Sequence, residues 1–324
     1  MMLSLEKIRE AQQRIRGLVR RTPLEYSSYL SQLSGCPCYL KLENWQVTGS
    51  FKPRGATNKL LSLTSEEKRR GIITASAGNH ALGVAYAAKR EGIRVKIVLP
   101  VNVSAAKLFL LKQYEVEIVK AGRDYDEAEE EAYRIADREG LTFVHPFNDP
   151  EVMAGQGSIG LEIEEELPQV EMVLVPVGGG GLISGVGAAL KGLKPGVEVV
   201  GVQSVASPAM YRSWQAGKPT ETPIEPTIAD GLAGRLVSEI ALEFSQKYAD
   251  RVVLVSEESI AQAIYLLLKT NKILVEGAGA VGVAALISRV VDPAGKRVVA
   301  LLSGSNINLH LLKALLQQGE EKGW

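Results

Sequence analysis

Cysteine is nearly missing from this chain: Cys36 and Cys38 are the only two among 324 residues. That excludes a disulfide framework, and C-P-C is neither a zinc nor a thioredoxin spacing. Alternation through Cys38, Leu40 and Leu42 predicts a half-buried strand carrying buried structural thiols. Histidine is scarce as well. His80, His145 and His310 lie far apart with no cysteine beside them, so no metal site is expected. Net charge is absent, since Lys plus Arg and Asp plus Glu both number 37. The positive excess that nucleic acid or an anionic membrane surface calls for is therefore missing. No apolar run has the length of a bilayer span. The N-terminal MMLSLEKIREAQQRIRG lacks the apolar core of a signal peptide and reads as an amphipathic helix, with Leu5, Ile8 and Ile15 on its apolar side. The expectation is a cytoplasmic protein whose partner is a small molecule, not nucleic acid or membrane.

What is present is the composition of a soluble globular protein, 46% hydrophobic and 23% charged, in a chain long enough for two lobes with their own cores. From residue 71 onward, short apolar runs alternate with helical patterns. Strands are expected at GIITAS, Arg94–Leu99, Val116–Val119 and Leu141–Val144. Helices are expected at His80–Arg90, at Ser104–Gln113 with Ser104 as N-cap, and at Asp124–Glu139. HPFNDP, residues 145–150, breaks the pattern. It resumes with strands at Met172–Val177, Val197–Val202, Val252–Val255 and Arg297–Leu302. Helices are expected at Leu182–Leu193, Pro208–Gln215, Ile240–Tyr248, Ser259–Lys269 and Glu276–Val290. Residues 216–230 read as an exposed loop. The fold class is α/β: two doubly wound, open, parallel-sheet blocks, with an N-terminal arm belonging to either.

Four segments carry chemistry. Gly178-Gly179-Gly180-Gly181 lies between a strand and a helix, where backbone N–H groups and the helix N-terminus form a phosphate cradle; a tight turn is the plainer reading. The G-x-G-x-x-G spacing is absent, and the next strand ends at Gln203 where a ribose-binding carboxylate would stand, so a nicotinamide dinucleotide is disfavoured. In TGSFKPRG, residues 48–55, Ser50 reads as an N-cap and Pro53 falls in the first helical turn, which places Lys52 at a helix N-terminus. A positive helix end disfavours the ammonium form and suits a lysine nucleophile, although exposed lysines at helix starts are common. TASAGNH, residues 74–80, enters a helix from a strand end, with room and N–H groups for a carboxylate. SGSN, residues 303–306, follows the last strand. Either could be only a turn.

Together and in this order, SFKPRG, SAGNHA, GGGGLISG and LLSGSNIN resemble the second fold type of pyridoxal-phosphate enzymes, the tryptophan-synthase-β-like family, in its branch of threonine dehydratases and serine racemases. The resemblance runs from about Arg20 to Asn308. It implies that Lys52 carries the cofactor as a Schiff base and later acts as base. It implies that Phe51 lies against the ring, Asn79 bonds the ring's phenolic oxygen, and Gly178, Gly179, Gly180, Gly181 and Leu182 bind the phosphate. Gly231 lines the other ring face, Glu276 lies near the ring edge, and Ser303 faces the ring nitrogen. Ser76, Gly78, Asn79 and His80 line the substrate carboxylate site. The implied domains are 1–51 with 148–324, the larger and cofactor-binding, and 52–147, the smaller and inserted.

The activity implied is dehydration and deamination of L-threonine to 2-oxobutanoate and ammonia, with L-serine to pyruvate beside it, in a homodimer or homotetramer. Two other readings are a serine racemase on the same scaffold and a non-enzymatic nucleotide-binding module. Against racemisation, the family's racemases carry a second acid–base serine where this chain has Ala77. They also carry acidic metal ligands where it has Gln203, Ser207 and Ala209, so divalent-metal activation is not expected. Biosynthetic threonine dehydratases add a C-terminal regulatory domain. After Asn308 only a short helix is expected here, which implies a catabolic type insensitive to isoleucine.

Overall fold

The structure, a computed structural model, describes residues 3–101, 103, 105–123 and 125–324, with backbone only at 105–107 and 125. In chain order the first elements are α1 (Leu5–Arg14), β1 (Leu24–Tyr26), α2 (Ser28–Ser34), β2 (Cys38–Lys41), α3 (Lys52–Ser62) and α4 (Ser65–Arg70). Then follow β3 (Ile72–Ala75), α5 (Asn79–Glu91), β4 (Val95–Leu99), α6 (Ala105–Leu111), β5 (Glu117–Lys120), α7 (Tyr125–Glu139) and β6 (Thr142–Phe143). Next are α8 (Pro150–Glu166), β7 (Met172–Pro176), α9 (Gly181–Leu193), β8 (Glu198–Ser204), α10 (Ala209–Ala216) and α11 (Glu239–Tyr248). The chain closes with β9 (Arg251–Val255), α12 (Glu257–Leu266), α13 (Gly277–Ile287), β10 (Val298–Leu301) and α14 (Leu309–Lys322). Ser104, expected to cap α6, lies outside the described residues.

Two sheets form. One has six strands in the order β1-β2-β10-β7-β8-β9, the other four in the order β5-β4-β3-β6. Neighbours are parallel except β1 and β2. Each sheet has apolar clusters on both faces, which is why strands such as β7 read as unbroken apolar runs. The N-terminal arm is settled: β1 and β2 extend the larger sheet through β10. Cys36 and Cys38 are unpaired and buried there.

One expectation needs correction and one helix goes unnamed in the sequence reading. Ser50 does not cap α3. Phe51 occupies the N-cap position with helical dihedrals, while Ser50 pairs with Gly304 as an isolated bridge and its Oγ is buried without a partner. Pro53 does fall in the first turn. The unnamed helix is α8, 17 residues that start at the end of the 145–150 break and that no apolar period announces. Asp149 caps it, accepting from the backbone N–H groups of Glu151 and Val152.

Candidate active site

Lys52 opens α3 and is half-buried. Its Nζ donates to the carbonyl of Pro146 at 3.0 Å and stands 5.1 Å from the centre of the Phe51 ring. Burial pushes the amine down to about 8, against the pull of the Glu276 carboxylate, which favours the charged form. The amine thus gives up its proton more readily than a solvated lysine does, as a nucleophile requires.

The start of α3 is held by a buried ion network. Arg54, 1% exposed, grips Glu43 through Nε and Nη2, both at 2.8 Å, and Glu162 at 2.6 and 2.8 Å. Lys41 adds a contact to Glu162 at 2.8 Å. Such paired, planar contacts fix both position and rotation of the first turn. On the other side α5 packs directly on Lys52: a Cβ on Gly83 would come 3.0 Å from the Lys52 carbonyl carbon.

Three strand ends converge on this lysine. Beyond β10, the Ser303 carbonyl accepts from the Phe51 N–H at 3.1 Å, and Ser303 is buried. Beyond β3, Asn79 begins α5; its Nδ2 donates to Glu276 Oε1 at 2.7 Å, and its Oδ1 accepts from Asn306 at 2.7 Å. Glu276 caps α13. Its Oε1 lies 2.5 Å from where a Cβ on Gly304 would stand and 3.6 Å from the same point on Gly231. Lys52, Asn79, Gly231, Glu276 and the 303–304 turn are therefore gathered in one place from far-separated sequence.

Beyond β7 runs the glycine loop. No side chain fits: a Cβ on Gly178 would stand 3.1 Å from Leu232 Cα, on Gly179 2.5 Å from the Phe147 ring, and on Gly181 2.8 Å from Phe147 Cα. Gly180 has φ +92°, a left-handed value that favours glycine. The loop leads straight into α9, whose first N–H groups have no intrahelical acceptor. Backed on the protein side and free of side chains, it has the form that suits an anion. Leu182 is buried at the start of α9. A lysine imine former and a phosphate cradle are what pyridoxal phosphate requires, so the residues present fit that cofactor.

At the head of α5, Ser76 Oγ accepts from the Gly78 N–H at 3.2 Å, and a Cβ on Gly78 would meet nothing within 4 Å, so this turn is open. The His80 imidazole is turned inward, with Nε2 donating to the Val144 carbonyl at 3.0 Å. Burial, helped by the nearby Lys52 charge, pushes it down to about 3. What His80 can offer a carboxylate is its backbone N–H. Among the described residues no group of three His, Cys, Asp or Glu could hold a metal ion, and no helix is long and apolar enough to cross a membrane. Sequence reasoning did not single out Pro146 or Phe147, and it named Asn306 only within SGSN, with no partner. The signal for the first two was HPFNDP, taken only as a break.

The comparisons agree with this geometry. The family model "pyridoxal-phosphate dependent enzyme" matches residues 15–304. An L-threonine ammonia-lyase from Thermotoga maritima is 48% identical over 98% of this chain and 79% of its own. A catabolic L-threonine dehydratase from Staphylococcus aureus is 44% identical over 98% of this chain and 93% of its own. Among solved structures, maize serine racemase is 32% identical, with TM-score 0.92, over 100% of this chain and 99% of its own. Threonine deaminase isoform 2 from Solanum lycopersicum is 34% identical, with TM-score 0.90, over 96% and 93%.

Proposed function

The chain belongs to the pyridoxal-phosphate dependent enzymes, and from that premise we propose that it dehydrates and deaminates L-threonine to 2-oxobutanoate and ammonia, with L-serine as a second substrate giving pyruvate. The observation that carries this reading is the Lys52 amine, pushed down to about 8 and gathered with the glycine loop, Asn79 and Glu276. The relatives named for threonine ammonia-lyase and threonine dehydratase activity support the choice of substrate.

Bound pyridoxal phosphate supplies the electron sink that makes the substrate's Cα–H acidic. Lys52 would hold the cofactor through its side-chain amine, and that amine, once free, would take the substrate's Cα proton as general base. Gly178 to Gly181, with Leu182, would hold the phosphate. Phe51 and the backbone at Gly231 would flank the ring. Asn79 has one amide N–H on Glu276 and a second to offer the phenolic oxygen. Ser303 would face the ring nitrogen with a neutral hydroxyl and supply no carboxylate to hold a proton there, which would favour prompt loss of the substrate's β-hydroxyl. Ser76, Gly78, Asn79 and His80 would take the substrate carboxylate through the head of α5. Overall, water leaves across Cα and Cβ; the released enamine takes water back and yields the 2-oxo acid and ammonia.

The division into residues 1–51 with 148–324 and the inserted 52–147 belongs to the same proposal, as do a homodimer or homotetramer and a cytoplasmic location. The test is product formation from L-threonine, L-serine and their D-forms with the cofactor-loaded protein. 2-Oxobutanoate from L-threonine is expected; its absence, with cofactor bound at Lys52, would overturn the substrate assignment.

A further inference from the structure

The HPFN segment between β6 and α8 has the geometry of a working part. His145 Nδ1 accepts two backbone N–H groups, from Phe147 at 3.2 Å and Asn148 at 2.8 Å. A ring nitrogen accepting two donors carries no proton, so the imidazole is neutral with its hydrogen on Nε2. Burial, with the Lys52 charge adding to it, pushes its pKa down to about 4, against the nearby Asp149. Nε2 lies 3.7 Å from Glu129, and the ring meets Phe147 edge to face at 4.6 Å between centroids. The strand side of the turn is pinned too, because the Val144 carbonyl accepts from both Thr74 Oγ1 and His80 Nε2. Between these two anchors, the Pro146 carbonyl accepts from Lys52 Nζ at 3.0 Å, and Phe147 lies against Gly179 and Gly181.

We propose that His145 is a positioning residue: through this turn it holds the Pro146 carbonyl as the rest position of the Lys52 amine, and Phe147 as the wall behind the phosphate-binding glycines. The turn thereby sets the distance between the two groups that must grip opposite ends of one cofactor. The inference rests on the assignment of Lys52 as the cofactor lysine. A proline at 146 suits the task, since its ring fixes φ and the residue has no N–H to compete for the acceptors around it.

The test uses cofactor-free protein and reads the rate at which Lys52 Nζ adds to an aldehyde carbon, with loss of water, as yellow Schiff-base absorbance bleached by borohydride. Two probes are compared, pyridoxal phosphate and phosphate-free pyridoxal. His145→Leu removes the acceptor and is expected to slow both probes about tenfold, the scale of one lost positioning hydrogen bond. His145→Asn restores an acceptor able to take the N–H groups two and three residues on, and is expected to recover most of the rate. Phe147→Leu keeps the backbone N–H groups on His145 but loosens the wall behind the glycines and the ring contact with His145, so it is expected to slow pyridoxal phosphate more than phosphate-free pyridoxal. Equal rates for wild type and His145→Leu, or no recovery in His145→Asn, overturn the proposal. Should His145→Leu fail to fold, His145→Ser, a weaker acceptor for the same turn, must react more slowly than wild type; an unchanged rate overturns the proposal equally. Lys52→Ala, run in parallel, must give no bleachable absorbance. Absorbance there would sink the Lys52 assignment itself, a failure distinct from that of the His145 turn.

Discussion

Asn79 Nδ2 and Glu276 Oε1 meet at 2.7 Å across 197 residues of sequence. The bond ties the head of α5, on the four-stranded sheet, to the head of α13, against the six-stranded one. It also places a carboxylate where Lys52 feels its charge.

Glu276→Gln keeps an oxygen for Asn79 and removes only the charge. Burial lowers the Lys52 amine to about 8, and the carboxylate resists that fall. Without it the amine loses its proton at still lower pH. The rising limb of Schiff-base formation against pH, measured on cofactor-free protein, should therefore move to lower pH. A limb that stays in place, or moves up, contradicts this coupling.

Lys52→Ala should abolish the yellow Schiff-base absorbance and lower turnover by about a thousandfold or more, the scale of losing a positioned base. The fold should survive, because the first turn of α3 is held by Pro53 and by Arg54 on Glu43 and Glu162. Far-ultraviolet circular dichroism and a melting curve check the second half. Near wild-type elimination of threonine would remove Lys52 from the mechanism.

Arg54→Met should destabilise the protein by about 3–5 kcal/mol, since it leaves Glu43 and Glu162 buried without their main countercharge. A urea denaturation midpoint reads the loss. The network also sets an acid limit. Burial alone would raise the Glu162 carboxyl, but Arg54 and Lys41 outweigh it and hold the pKa below the usual carboxylate value. Its contribution is thus fully present above the unfolded carboxyl pKa of about 4.3. It is lost as pH falls through the lower folded value. Wild type should lose stability over that acid range more steeply than Arg54→Met does.

The strands were legible because buried parallel strands advertise themselves: β3 and β7 are almost wholly apolar, and β4 and β8 are mostly so, broken by Lys96 in one and by Glu198 and Gln203 in the other. The glycine loop and Lys52 were legible for a related reason, since their chemistry is local in sequence. The helix α8 was not, because glycines interrupt its pattern where other helices press on it. A Cβ on Gly155 would come 2.6 Å from the Arg54 carbonyl oxygen, on Gly157 2.8 Å from Ile8, and on Gly160 2.8 Å from Ala189. A helix packed on several sides shows no single apolar stripe. The Ser50 cap failed for a tertiary reason: the bridge to Gly304 fixes how the chain enters α3. Pro146 was invisible because its role is that of a backbone carbonyl, which no residue type signals.

The proposed outcome of the chemistry turns on Ala77. It stands half-buried in the turn between β3 and α5, beside Ser76 and Asn79. Racemisation needs an acid–base group on each face of a planar carbon, and Lys52 serves one face only. The racemases this sequence resembles carry a serine at the position of Ala77, and a methyl group can neither give nor take a proton. Loss of the β-hydroxyl should then outrun reprotonation on the far face, although the overall fold matches maize serine racemase at TM-score 0.92. Chiral chromatography of the L-serine reaction should find little D-serine beside pyruvate, and Ala77→Ser should raise the D-serine to pyruvate ratio. Ala77 packs partly against the apolar cluster around α5, so the change adds a single hydroxyl at a half-buried position. D-serine accumulating as fast as pyruvate in the wild type would mean that another group, or water, serves the second face and that Ala77 does not govern the outcome.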